Sequence, residues 1–137
     1  MSKTLKVLLI EDDTIEIMKL NRAMSSLNLK HQIFEANNGE DALQVLQKKK
    51  IIPDIILLDL NMPKVSGIEF LTVLKNDDTL KYIPTIILTT SNNQKDLLEC
   101  YKIGIAGYVL KPLKYEEYVS KIETLLSYWS INALIKV

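Results

Sequence analysis

Short apolar runs alternate with amphipathic stretches along the whole chain, and this alternation limits the possible folds more than any other feature. Runs of strand length fall at 5–10 (LKVLLI), 31–36 (HQIFEA), 54–60 (DIILLDL), 84–90 (PTIILTT) and 107–110 (GYVL). Between them, apolar residues recur at helical spacing over 14–27, 39–50, 66–76, 93–104 and 115–129. Ile17, Leu20, Met24 and Leu27 mark one buried face, and Met18 is read as core beside them. Ala42, Leu43 and Leu46 mark a second face, and Ile68, Leu71 and Leu74 a third. Gly104 suits the end of the fourth helix. Pro53, Pro63, Pro84 and Pro112 stand at strand edges, where a missing N–H does least harm. Strict strand–helix alternation requires a parallel sheet with helices on both faces. The first, third and fourth runs are apolar throughout, as doubly covered strands must be. The expectation is one α/β domain with a doubly wound five-stranded parallel sheet, order 2-1-3-4-5.

The chain has 137 residues, which fits a single domain. With 47% hydrophobic and 25% charged residues it is neither disordered nor membrane-spanning. Seventeen basic residues balance seventeen acidic ones, so no basic face for nucleic acid is expected. The cluster Lys48-Lys49-Lys50 reads as a solvated helix end. The apolar runs are too short to cross a membrane, and the N-terminus lacks the longer apolar region of a signal peptide. A single cysteine, Cys100, builds no internal disulfide. A cytoplasmic location is expected. His31, the only histidine, is read as a solvent-facing residue that opens strand two, so the chain is not itself a phosphohistidine carrier.

In doubly wound sheets the site lies beyond the carboxyl ends of the strands. Strand one ends in Glu11, Asp12 and Asp13, and strand three in Asp59 with Asn61 two residues on. Strand four ends in Thr89, Thr90 and Ser91, and strand five in Lys111 and Pro112. Strands one and three are neighbours in the expected order, so their acids share one crevice. Carboxylates that close repel, and oxygen-only ligands without His or Cys favour Mg²⁺. Lys111 adds a second positive charge. A metal and an ammonium together stabilise a phosphoryl group in transfer, and an aspartate can accept it covalently. Thr89 offers a hydroxyl to a phosphoryl oxygen.

These residues resemble the receiver domain of two-component response regulators, a flavodoxin-like fold. The matching motifs are LLIEDD, PDIILLDLNMPKVSG, PTIILTTS and GYVLKP, spread from residue 5 to about 129. The resemblance implies that Asp59 is the phosphoacceptor. It makes Asp12 a direct Mg²⁺ ligand, Glu11 a water-linked one and Asn61 a ligand through its backbone carbonyl. Thr89 matches the switch hydroxyl, Lys111 the lysine that pairs with the phosphoryl group, and Tyr108 the aromatic that turns inward. Pro112 matches a proline that is cis in the family. The implied partners are a sensor histidine kinase or phosphotransfer protein and a downstream protein target. The only catalysis implied is of the domain's own phosphorylation and dephosphorylation, so it is not an enzyme in the usual sense. Asp13 is an additional acid. Thr90 and Ser91 depart from common residues that set the lifetime of the phosphorylated form.

A haloacid-dehalogenase-like Mg²⁺-dependent phosphatase also uses an aspartyl nucleophile, but it wants a second Asp where Asn61 stands. A flavodoxin-like cofactor binder wants a phosphate-cradling loop, and EDDTIE is acidic there. A receiver-like binding module that takes no phosphate would not need these chemical positions intact. No further domain follows, so a stand-alone regulator is expected, with 130–137 as an apolar extension. That tail is similar to those of stand-alone receivers that partner bacterial phytochromes. Tyr128, Trp129, Ile131, Leu134, Ile135 and Val137 suggest a last helix that runs on beyond the domain body and a homodimer that buries Trp129.

Overall fold

The computed structural model describes residues 3–62 and 65–135; Pro63 and Val137, both singled out in the sequence, lie outside them. The elements are β1 (Lys6–Ile10), α1 (Thr14–Ser26), β2 (Gln32–Ala36), α2 (Gly39–Leu43), β3 (Ile55–Leu58), α3 (Gly67–Lys75), β4 (Thr85–Thr89), α4 (Gln94–Ile103), β5 (Gly107–Leu110) and α5 (Tyr115–Ser130). The helix expected unbroken over 39–50 widens after α2 into a π turn, Gln44–Lys48, and a 3-10 turn, Leu80–Tyr82, precedes β4. All four strand pairs are parallel, in the order β2-β1-β3-β4-β5 expected from the sequence.

Alternation along each strand splits the core in two. Leu8, Ile10, Ile56 and Leu58 pack with Phe70, Leu71, Leu74 and Cys100 under α3 and α4. Val7, Leu9, Ile55 and Leu57 pack with Leu20, Met24, Tyr118, Ile122 and Leu126 under α1 and α5. Side-chain oxygens start four of the helices: Asp13 accepts from Ile15 N–H, Asn38 from Asp41, Ser66 from Glu69, and Asn93 from Lys95 and Asp96. Gly104 ends α4 at φ 123°, a conformation that costs glycine least.

Four expectations need correction. Met18 is 64% exposed, because Ile17, Leu20 and Met24 take the buried stripe of α1 and Met18 falls outside it beside Ile15. His31 does not simply face solvent; it is half-buried, and its Nδ1 accepts a 2.9 Å bond from the Leu5 N–H. The Lys111–Pro112 bond is trans, the form that X–Pro bonds usually favour. The last helix does not run on. It stops at Ser130, where Asn132 Nδ2 donates to Tyr128 O at 2.6 Å and Lys3 N–H donates to Ser130 O at 3.3 Å. Trp129 and Leu134 then pack against the chain's own α1/α5 core, while Tyr128, Ile131 and Ile135 stay exposed.

Burial lowers the His31 pKa below its usual value, and protonation at Nδ1 would remove the acceptor that Leu5 uses. The neutral form is therefore favoured by folding. Its stability is fully present above about pH 6.5, the unfolded value, and is lost as pH falls toward the lower folded value. His31→Gln keeps an acceptor that does not titrate. Thermal melts at pH 7.5 and 5.5 are expected to show the wild type losing more stability than the variant. Equal losses would mean that this bond does not depend on protonation.

Candidate functional site

The sheet ladder carries on one residue past three strands and so fixes the site. Glu11 N–H donates to Ala36 O at 3.0 Å, Asp59 N–H to Ile10 O at 3.0 Å, and Lys111 N–H to Thr89 O at 2.8 Å. Glu11 and Asp59 are thereby held at the carboxyl ends of the central strands β1 and β3 and Lys111 at that of the edge strand β5, with Thr89 as the buried last residue of β4. Gly67 closes the site from below. A Cβ there would lie 2.7 Å from both Asp59 O and Leu60 Cα, so only glycine lets α3 approach the Asp59 backbone.

Glu11, Asp12, Asp13, Glu16, Asp59, Asn61, Thr90 and Lys111 line one cavity of about 460 Å³. Carboxylate oxygens of Glu11, Asp12 and Asp59 lie within 4.8 Å of one another. Glu11 and Asp59 are buried and Asp12 is exposed. The set is all oxygen, with no His or Cys, and fits a hard divalent cation. Asp13 is occupied as the cap of α1, its Oδ1 accepting from Ile15 N–H at 2.9 Å. Lys111 Nζ does not pair with Asp59. It lies 2.6 Å from Glu11 Oε1 and 3.0 Å from Glu16 Oε1.

Burial pushes Glu11 up to about 7, against the pull of Lys111. Burial also raises Asp59; the charge of Lys111, the Thr89 hydroxyl and the Asn61 backbone N–H draw it back only in part. Burial alone would lower Lys111, but its bond to Glu11 and the charges around it raise it instead. The two buried acids, Glu11 and Asp59, thus hold charge reluctantly, and a further cation would favour their charged forms.

The structure brings together all the acids singled out in the sequence. Tyr108 stands apart from them on β5, half-buried, with its hydroxyl donating to Ser91 O at 2.8 Å. The Ser91 hydroxyl is 3.3 Å from Asp96 Oδ2 and does not face the acids. Glu16 is the residue that sequence reasoning missed. Its signal was its place one turn into α1, where a side chain can face back to the strand-one acids.

Fold and pocket together define a doubly wound α/β domain with an acidic site at its strand ends. The family model for the response regulator receiver domain matches residues 7–123, and the chain belongs to that family. It is 34% identical over 127 residues to the probable methanogenesis regulatory protein FilR2 of Methanothrix harundinacea, covering 90% of this chain and 82% of that one. The crystal structure of the phosphorylated cyanobacterial phytochrome response regulator RcpA is similar, with a TM-score of 0.90 and 29% identity over 98% of this chain and 100% of that one. The Mn²⁺-bound response regulator Rcp1 gives a TM-score of 0.87 and 27% identity over 97% and 99%; the curated Rcp1 is from Synechocystis. Receiver domains are signalling proteins, not classical enzymes, and serve as phosphoacceptors between histidine kinases and downstream targets.

Clustered acids without a cation repel, at a cost on the order of 1 kcal/mol per pair for a partly solvated site. Asp12→Asn is expected to raise the apo melting midpoint and to weaken binding of a divalent ion by tenfold or more. Calorimetric titration with Mg²⁺ checks this. Unchanged affinity would place the ligands elsewhere.

Proposed function

We propose that this chain takes a phosphoryl group from a sensor histidine kinase, or from a phosphotransfer protein, onto Asp59, with Mg²⁺ in the acidic pocket. The observation that carries the reading is the convergence of Asp59, Glu11, Asp12 and Lys111 in one cavity at the strand ends. An Asp59 carboxylate oxygen attacks the phosphorus of a phosphohistidine; the P–O bond forms as the P–N bond breaks, and the imidazole leaves. Asp12 and Asp59 would hold the ion directly, Asn61 through its backbone carbonyl and Glu11 through water. When bound, the ion neutralises the carboxylates and draws charge from the phosphoryl oxygens. Lys111 supplies an ammonium within the same cavity. The Thr89 hydroxyl accepts a 3.3 Å bond from Ser91 N–H and already bonds to the Asp59 carboxyl, from where it can donate to a phosphoryl oxygen.

A Thr89 hydroxyl drawn onto a phosphoryl group at Asp59 would loosen its bond to the Ser91 N–H, in the loop that also holds Tyr108 through Ser91 O. We read Tyr108 as the aromatic that follows, altering the face of α4, β5 and α5 for a protein target. Exposed apolar residues near the pocket in sequence offer a kinase something to dock on: Ile15 is 68% and Met18 64% exposed on α1, and Leu113 is fully exposed two residues after Lys111. No helix among the described residues is long and apolar enough to cross a membrane, and a cytoplasmic setting suits partners of this kind. A homodimer remains part of the proposal. What supports it is an apolar groove of about 510 Å³ lined by Val109, Leu125, Tyr128 and Trp129 along β5 and α5.

Incubation with acetyl phosphate and Mg²⁺ is expected to add one phosphoryl group, seen by intact mass, and to add none to Asp59→Asn. Equal labelling of that variant would end the assignment. Thr89→Ala is expected to accept the group yet lose the Tyr108 NMR shift on beryllofluoride addition. Sedimentation at micromolar concentration tests pairing: a dimer weakened by Trp129→Ala is expected, and a monomer with and without beryllofluoride rules it out.

A further inference from the structure

The ion pairs of the pocket do not stop at Lys111. Glu16 Oε1 is 3.0 Å from Lys111 Nζ, and its other oxygen, Oε2, is 3.4 Å from Lys19 Nζ. Lys19 Nζ in turn sits 4.6 Å from the centroid of the Tyr118 ring. Tyr118 stacks on Tyr115 at 6.3 Å, and Arg22 lies 5.2 Å over the Tyr115 ring. A continuous series of charge and π contacts therefore leads from the acidic pocket into the seam between α1 and α5. Tyr118 is 1% exposed, so its ring is fixed and reports on what lies above it. Burial raises the Tyr118 hydroxyl pKa, and the charges of Glu16 and Glu11 raise it further, so the ring already feels the pocket.

An ammonium has three donors and no acceptor. Those of Lys111 serve Glu11 and Glu16, and among the described residues it makes no ion pair with Asp59 within 4.0 Å. The Lys111 side chain is 7% exposed, so its choice of partner is made among anions and not between anions and water. A phosphoryl group on Asp59 would bring a charge of about −2 into the same cavity. It competes for Lys111 with the Glu11 and Glu16 carboxylates, each of which carries a single charge at most.

Resting on the phosphoacceptor reading above, we propose that Glu16 is a positioning residue. With Glu11, whose bond to Lys111 is the shorter at 2.6 Å, it holds Lys111 off Asp59 in the unphosphorylated chain. When Lys111 changes partner, Glu16 turns fully to Lys19, which is drawn from the face of Tyr118. The α1–α5 seam is then a second place, apart from Tyr108, where the state of Asp59 is read. As a mere first-turn acid, Glu16 would favour the positive end of α1 and pair weakly with Lys19. That role predicts no effect on Lys111 and no message at Tyr118.

The test uses the full chain with labelled tyrosine rings, with and without Mg²⁺ and beryllofluoride, in wild type, Glu16→Gln and Lys19→Met. In wild type both Tyr108 and Tyr118 are expected to shift. In Glu16→Gln, Tyr108 shifts as before and Tyr118 does not, and phosphorylation by acetyl phosphate at saturating Mg²⁺ runs several-fold faster. In Lys19→Met, which leaves the Glu16–Lys111 contact in place, the rate is unchanged but the Tyr118 shift is lost. A wild-type Tyr118 that stays still while Tyr108 moves overturns the coupling and leaves the phosphoacceptor reading standing. A wild-type rate in folded Glu16→Gln overturns the holding role. If Asp59 takes no phosphoryl group by intact mass, the phosphoacceptor reading falls and this inference with it; if it takes one and neither ring moves, this inference alone falls.

Discussion

Everything at the carboxyl edge of the sheet depends on keeping Glu11 and Asp59 side by side in a buried place. Taking a carboxylate out of water costs several kcal/mol unless it is well partnered. The chain meets that cost by rigidity. β1 and β3 are central strands buried almost throughout, and backbone bonds from Glu11 and Asp59 into the neighbouring strands leave neither acid free to drift back to solvent. Lys111 gives partial relief from the far side. The result is a pocket that is strained electrostatically and sound sterically. That combination suits a site that must gain from an arriving cation or a departing charge.

The two halves of the molecule are not equally firm. β1, β3 and β4 are buried almost throughout, whereas β5 is half-buried and ends in the exposed Leu110, and α4 has one fully buried side chain among its described residues, Cys100. Segments that move in signalling are drawn from the less stable part of a fold. The firm half fixes the chemistry, and the looser half has freedom to respond to it.

Element order and strand order were legible because double coverage leaves apolar runs that no single-sided sheet would need. Asp59, Glu11 and Asp12 were legible because an acid directly after such a run has no reason to be there on packing grounds. Glu16 was hidden because an acid in the first turn of a helix already has an ordinary reason in the helix dipole. His31 was misread because its partner, the Leu5 N–H, lies 26 residues away and only the sheet brings them together. The end of α5 was misread for a similar reason. Hydrophobic content argued for a longer helix, but a side-chain amide from Asn132 and a backbone N–H from Lys3 take the last carbonyls. Met18 shows the limit of composition, since an apolar residue one step off the buried stripe is a surface residue.

The contact between Lys3 and Ser130 has a topological consequence. It brings the start of β1 and the end of α5 to the same side of the domain, at the edge of the sheet away from the acidic pocket. In outline the described chain is close to a ring. A short linker would close it, and new ends opened at the exposed Asp78–Thr79 would leave all five strands and the pocket uncut. The order in which the strands are joined is thus separable from the way they are packed, and the acidic edge depends only on the packing.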